Sequence, residues 1–232
     1  MTTLLSAHNV VGGYRGARIV NNVSFELEAG ETFAILGRNG VGKTTLLRTL
    51  MGLADRFSGT VVVDGQAVAP RDPRTMARLG VTFVPDDRGV FPRLTIAENI
   101  DLARRCAYAL TAIDVFEIFP DLAPRRDQAA GTLSGGQQQQ LAIARALAIG
   151  PRLLIVDELS QGLQPSIVQS LTQALSEATR EGKLTLVLVD QNPQLAMQIC
   201  ERVIVMQRGE VVASGASSAL STDANFLDLL IV

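Results

Sequence analysis

Thr32 to Leu50 reads TFAILGRNGVGKTTLLRTL, and few backbone paths can accommodate it. The apolar run Phe33 to Leu36 suits a strand buried in a parallel sheet. Gly37, Gly40 and Gly42 then let the chain curl, so that amides of this stretch, those of Arg38, Asn39 and Val41 among them, point inward at an anion. Lys43 supplies a mobile cation for β- and γ-phosphates, Thr44 a hydroxyl for Mg²⁺, and Thr45 continues the cradle. From Lys43 to Leu50 the chain runs on as a helix whose positive end faces the same phosphates. A plain glycine turn between strand and helix would not need a lysine. Yet this chain uses arginine for nearly every cation and keeps lysine only at Lys43 and Lys183, as if a flat guanidinium would not fit the nest. The spacing predicts a nucleoside triphosphate site in an α/β domain.

A second apolar run, Leu153 to Val156, ends in Asp157-Glu158. Two carboxylates after a buried strand are costly unless a cation or water network satisfies them. Beside a P-loop, Asp157 is expected to hold Mg²⁺ on the Thr44 side, and Glu158 to polarise the attacking water as general base. The plainer alternative is an acidic cap on the helix that opens at Pro165. Leu133-Ser134-Gly135-Gly136-Gln137 opens another helix, with Leu141, Ala144, Leu147 and Ala148 on one face. It offers bare amides, a hydroxyl and a helix N-terminus, which make a second anion site or simply a capped turn. Tyr14, upstream of the P-loop, can stack on a base or be an ordinary half-buried loop tyrosine.

The remaining signals outline the architecture. Leu4 to Val23 reads as strand broken at Gly12-Gly13 and again at Arg15-Gly16, and Ser24 to Glu28 alternates as a strand should. Asp64-Gly65 and Arg208-Gly209 stand between apolar runs as hairpin turns. Asp72 to Leu79 reads as a short helix closed by Gly80, and Val81 to Val84 as a buried strand. Thr95 with Glu98 forms a capping box, and from there to about Gly131 the chain reads helical, with Ile113, Phe116 and Phe119 apolar. Leu184 to Val189 is a strand ending in Asp190-Gln191-Asn192, and a last helix is expected from about Asp223. A chain of 232 residues can bury a large core, and no apolar run is long enough to span a bilayer. No signal peptide opens it. A net charge of −2 argues against a nucleic-acid partner. The single histidine, His8, excludes a histidine metal cluster, and Cys106 and Cys200 form no metal or redox motif.

Taken together, Gly37 to Thr44, Leu133 to Gln137 and Leu153 to Glu158, in that order, make the chain resemble the ATP-binding subunit of an ABC transporter over essentially its whole length. Within that superfamily it is most similar to the branched-chain amino acid uptake group, through Val84-Pro85 with Arg88, Val90-Phe91-Pro92, Ala130 to Gly136, and Asp190-Gln191-Asn192. The resemblance implies an α/β P-loop (RecA-like) ATPase core in three layers, with an antiparallel β subdomain. The core would occupy 1–88 and 151–232, and an inserted helical subdomain with the signature motif 89–150. It implies that Tyr14 stacks on adenine, and that Ser134, Gly135, Gly136 and Gln137 face the γ-phosphate held by an opposite subunit. Asp86 falls where most relatives carry a glutamine linking Mg²⁺ to the membrane partner. Gln191 falls at the switch histidine. Leu159 and Gln164 replace the usual proline and aspartate of the loop after Glu158.

The expected function is therefore hydrolysis of ATP, with Mg²⁺, to drive import of branched-chain or other hydrophobic amino acids. The expected partners are a second ATPase subunit, two transmembrane permease subunits and, indirectly, a solute-binding protein, at the cytoplasmic face of the cell membrane. Urea or short amides are the alternative cargo. A soluble ABC ATPase outside transport is the alternative class, although such proteins usually carry fused copies or long insertions. A guanine-reading Asn-Lys-x-Asp motif does not occur.

Overall fold

A computed structural model of the chain describes residues 2–106, 114–180, 182 and 184–220. The first strands are β1 (Thr3–Tyr14), β2 (Ala17–Glu28), β3 (Thr32–Leu36), β4 (Asp55–Val63) and β5 (Gln66–Ala67). They are followed by β6 (Val81–Val84), β7 (Leu153–Asp157), β8 (Thr185–Asp190), β9 (Arg202–Gln207) and β10 (Glu210–Ala216). The helices are α1 (Lys43–Leu50), α2 (Pro73–Arg78), α3 (Ile96–Arg104), α4 (Val115–Ile118), α5 (Gly135–Ala148), α6 (Pro165–Thr179), α7 (Pro193–Ile199) and α8 (Ser217–Leu220). Two sheets form: an antiparallel one in the order β2-β1-β4-β5, and a six-stranded one in the order β10-β9-β3-β8-β7-β6. In the larger sheet β6, β7, β8, β3 and β9 run parallel, and β10 closes one edge antiparallel.

Burial on both faces explains the unbroken apolar runs of the parallel strands. Ala34, Leu36, Leu154, Val156, Leu186 and Leu188 point into one core, shared with α3, α5, α6 and α7. Their neighbours Phe33, Ile35, Leu153, Ile155, Val187 and Val189 point into a second core, shared with α1, α2 and the antiparallel sheet. The central sheet is thus the middle of three layers. All five parallel strands end on the same edge, where an open α/β sheet holds its ligands.

Local signals place the helix starts. Thr95 and Glu98 close their capping box over α3, the Glu98 amide donating to Thr95 Oγ1 at 3.1 Å and the Thr95 amide to Glu98 Oε2 at 2.8 Å. Asp72 caps α2 by accepting from the Thr75 amide at 3.0 Å. Two expectations fail. Gly12-Gly13 does not break the first strand, because β1 runs through it to Tyr14 with register shifts against both neighbours. A Cβ on Gly12 would lie 2.3 Å from Thr49 Oγ1, so the glycine lets α1 press against the strand. Nor is the segment after Thr95 continuously helical. α3 stops at Arg104, α4 is a single turn, and Pro120 and Pro124 sit in a 3-10 turn over Pro120–Arg125. Phe119 is fully buried beneath α5. Ile113 and the helix expected from Asp223 lie outside the described residues.

Candidate functional site

The loop between β3 and α1 takes the curled path that its glycines allow. Gly37 has φ 145°, and a Cβ there would meet the Met206 carbonyl oxygen at 2.4 Å, so no other residue fits. Gly42, at φ 109°, leads into α1 without any side-chain cap, which leaves the first amides of the helix to an outside acceptor. Lys43 is buried, and its ammonium donates to the carbonyls of Gly37 at 2.7 Å and Arg38 at 3.0 Å. Burial lowers its pKa, while the charges of Glu158, Asp157 and Asp190 oppose that shift. Thr44 and Thr45 follow on the same turn, Thr45 buried.

Asp157 ends β7 fully buried, with no hydrogen-bond partner for either carboxylate oxygen. Burial pushes its pKa up to about 6. The Thr44 hydroxyl pulls it back down without closing a well-formed bond, the carboxylates of Asp86 and Glu158 raise it further, and Lys43 lowers it. An orphaned buried carboxylate beside a threonine hydroxyl suits a hard divalent cation. Mg²⁺ in phosphate sites takes one or two protein oxygens and fills its remaining positions with water and phosphate. Asp86 reaches the same edge of the sheet but is engaged elsewhere, accepting from Arg48 Nη2 at 3.2 Å.

Glu158 has a left-handed backbone, φ 52°, and its amide donates to the Val189 carbonyl at 2.8 Å. A cavity of about 280 Å³ is lined by Glu158, Ser160, Gln161, Asp190, Gln191 and Asn192. Gln191 also lines a cavity of about 360 Å³ with Gly37, Arg38 and Asn39, so it stands between the phosphate loop and Glu158. None of Asp157, Glu158 and Gln191 serves as a helix cap. Asn192, not Gln191, caps α7, its Oδ1 accepting from the amides of Gln194 at 3.0 Å and Leu195 at 3.2 Å. The residue at the cap of α6 is Gln164, so neither Asp157 nor Glu158 caps that helix.

Ser134 does cap α5, in a capping box with Gln137. Ser134, Gly135, Gly136 and Gln137 line a different cavity, of about 630 Å³, together with Gly162, Leu163 and Gln164. Within one chain, these residues and the phosphate loop therefore line separate cavities. Tyr14 ends β1 beside Arg48, and this contact is the leading cause that raises the Arg48 pKa. Two participants were given no role by the sequence. Arg48 lies on the P-loop helix, 38 positions from Asp86. Asp190, the buried acid at the end of β8, accepts from Ser160 30 positions away. The only hint of the latter was that β8, like β7, ends an apolar run in a carboxylate.

The family model described as ABC transporter matches residues 20–161. The high-affinity branched-chain amino acid transport ATP-binding protein BraG of Pseudomonas aeruginosa is 37% identical over 229 residues, covering 97% of this chain and 98% of that protein. The lipopolysaccharide export system ATP-binding protein LptB of Haemophilus influenzae is 28% identical, covering 95% and 94%. Among solved structures, an ATP-binding cassette in a dimeric post-hydrolysis state with ADP and Pi superposes with a TM-score of 0.82 at 25% identity, covering 92% of this chain and 99% of that one. This chain carries its P-loop, its carboxylate pair and its capped Ser-Gly-Gly helix in one α/β frame, and by the family match and the near full-length identity it belongs to the ABC transporter family as one of its ATP-hydrolysing, ATP-binding subunits.

Proposed function

We propose that this subunit energises import of branched-chain or other small hydrophobic amino acids. The observation that carries this reading is the 37% identity to BraG over nearly the whole of both chains. A strain lacking the gene should lose uptake of radiolabelled leucine or valine, and the wild-type gene should restore it where Glu158→Gln does not. Unchanged uptake would remove the amino acid assignment. The matches to LptB support a second reading, export of a lipid. Normal amino acid uptake with a failure of lipid delivery to the cell surface would favour it.

At the site, the loop from Gly37 to Thr45 binds the triphosphate through its amides and Lys43, and Tyr14 takes the adenine. Thr44 and Asp157 would hold Mg²⁺, with Asp86 joining them if it leaves Arg48. Bound there, the ion would neutralise charge on the β- and γ-phosphoryl oxygens. Glu158 takes the proton of the attacking water, and Gln191 orients that water through its carboxamide oxygen while its NH₂ donates to the transferring group. Ser134 to Gln137 of a second subunit would close the site from the other side, in keeping with their separate cavity. The 89–150 segment would be the helical subdomain. An apolar groove beside the Asp86 loop, with Phe91 43% and Leu102 38% exposed, supports docking of a cytoplasmic segment of a permease subunit.

A further inference from the structure

Asp190 is 3% exposed and lies at the end of β8, yet it is tied to two loops at once. Its Oδ2 accepts from the Ser160 amide at 2.9 Å, and its Oδ1 accepts from the Ser160 hydroxyl at 2.9 Å. The same Oδ1 accepts from the amides of Gln191 at 2.7 Å and Asn192 at 2.9 Å. Four donors thus converge on one carboxylate, three of them on Oδ1. One pair of donors belongs to the loop that carries Glu158, the other to the loop that carries Gln191. All of these residues line one cavity.

Glu158 needs such support. A non-glycine residue at φ 52° is strained, and it holds that conformation only where its surroundings over-determine it. On one side its amide is pinned to Val189 at 2.8 Å, the residue just before Asp190. Two residues on, Asp190 clasps both the amide and the hydroxyl of Ser160. Between them, Leu159 is fully buried in the core. The strained glutamate is therefore fixed from both sides, and the strongest polar tie on the Ser160 side is the same carboxylate that fixes the backbone at Gln191.

We propose that Asp190 is a positioning residue for hydrolysis: it sets the distance and orientation of the Glu158 carboxylate relative to the Gln191 carboxamide. The inference rests on the reading of Glu158 as base and Gln191 as phosphoryl contact. The Asp190 carboxylate is engaged by four donors of the two loops, and it acts through them. A carboxamide cannot replace it, because asparagine keeps one oxygen and turns its NH₂ toward an N–H donor. Ser160→Ala is the milder probe, since it removes one tie and leaves the amide bonds in place.

The test uses the full chain in its assembled complex, with ATP affinity, kcat per bound nucleotide and melting temperature measured for Asp190→Asn, Ser160→Ala, their double mutant and Glu158→Gln. For Asp190→Asn, kcat per bound ATP should fall about tenfold or more while the ATP Kd stays within about twofold, the split expected when only transition-state interactions are lost. Ser160→Ala should lower kcat by a smaller factor, and the double mutant should be no slower than Asp190→Asn alone, because both act through one clasp. Wild-type kcat per bound ATP in Asp190→Asn would overturn the proposal, as would a loss that only tracks the fraction of unfolded protein. Independent, multiplying losses in the double mutant would overturn it too. Undiminished turnover in Glu158→Gln would instead overturn the base assignment, whatever Asp190→Asn does.

Discussion

Removing the Asp157 charge should stabilise the nucleotide-free, metal-free chain near neutral pH while abolishing its response to Mg²⁺. Asp157 is fully buried, and its carboxyl is raised from the ordinary 3.8 to about 6. For an acid raised in the folded state, the native protein binds more protons than the unfolded chain between those two values. Stability is therefore greatest with Asp157 protonated, and it is lost as pH rises from about 4 through 6. Integrated over that interval, the loss is about 3 kcal/mol. Asp157→Asn carries no titrating charge, and its buried amide resembles the protonated acid in size and polarity. The wild type and variant should thus converge near pH 4, separate between pH 4 and pH 6, and stay apart above that, the variant melting roughly 6–12 °C higher at neutral pH for a domain of this size. The assay is thermal unfolding in a chelator at a series of pH values, repeated with Mg²⁺ and ATP. In the second series the order should reverse, because only the carboxylate gains from the cation. A difference in melting temperature that stays constant from pH 4 to pH 7 would refute the claim that Asp157 is buried with its charge unmet.

Glu158→Gln should bind ATP normally, stop turnover and accumulate as a nucleotide-bound dimer in sedimentation; undiminished hydrolysis would refute its role as base. Tyr14→Ala should weaken ATP binding by about 1–3 kcal/mol, and Tyr14→Phe should be nearly neutral, because the ring face does the stacking. Equal affinity in all three proteins would return Tyr14 to packing alone. Gln191→His should stay active and acquire an acidic limb near the imidazole pKa that the carboxamide lacks, whereas Gln191→Ala should lose much of the rate; superimposable pH–rate profiles of equal height would exclude Gln191 from the site. Gln164 caps α6 without a side-chain bond, so Gln164→Asp should raise stability by about 1 kcal/mol. An unchanged melting temperature would count against that.

Sequence reading succeeded where a few adjacent residues fix the structure by themselves. Thr95 with Glu98, Asp64-Gly65 and Gly37 to Thr44 each carry their own geometry, and Asp157-Glu158 is legible because a charge at the end of an apolar strand demands an explanation. It failed where one residue type serves two ends. A glycine pair marks a turn or a close approach equally well, and at Gly12 it was the approach of Thr49 that mattered. The stretch after Thr95 has apolar residues at helical spacing, but Pro120 and Pro124 break it into short turns that are buried by contact with α5. Contacts between distant positions left no trace at all. Arg48 with Asp86, and Ser160 with Asp190, meet only because β6, β7 and β8 end side by side at the mouth of the P-loop.

That edge also gives the loop after β7 its meaning. Residues 158–164 begin in the cavity of Glu158 and Gln191 and end in the wall of the cavity lined by Ser134 to Gln137. One short strip of backbone thus borders both half-sites, the one that would cradle this chain's own nucleotide and the one that would face a partner's. Its fixed points are Leu159, fully buried in the core, and Ser160, held by Asp190. A proline at Leu159 would stiffen the strip through its own ring. Here the stiffness comes from the burial of Leu159 and from the carboxylate of Asp190. At the far end Leu163 packs partly buried against the core, and the side chain of Gln164 makes no cap bond to α6. A displacement carried along the strip from the Ser134 to Gln137 cavity would strain the Asp190 clasp at Ser160 before it moved Glu158.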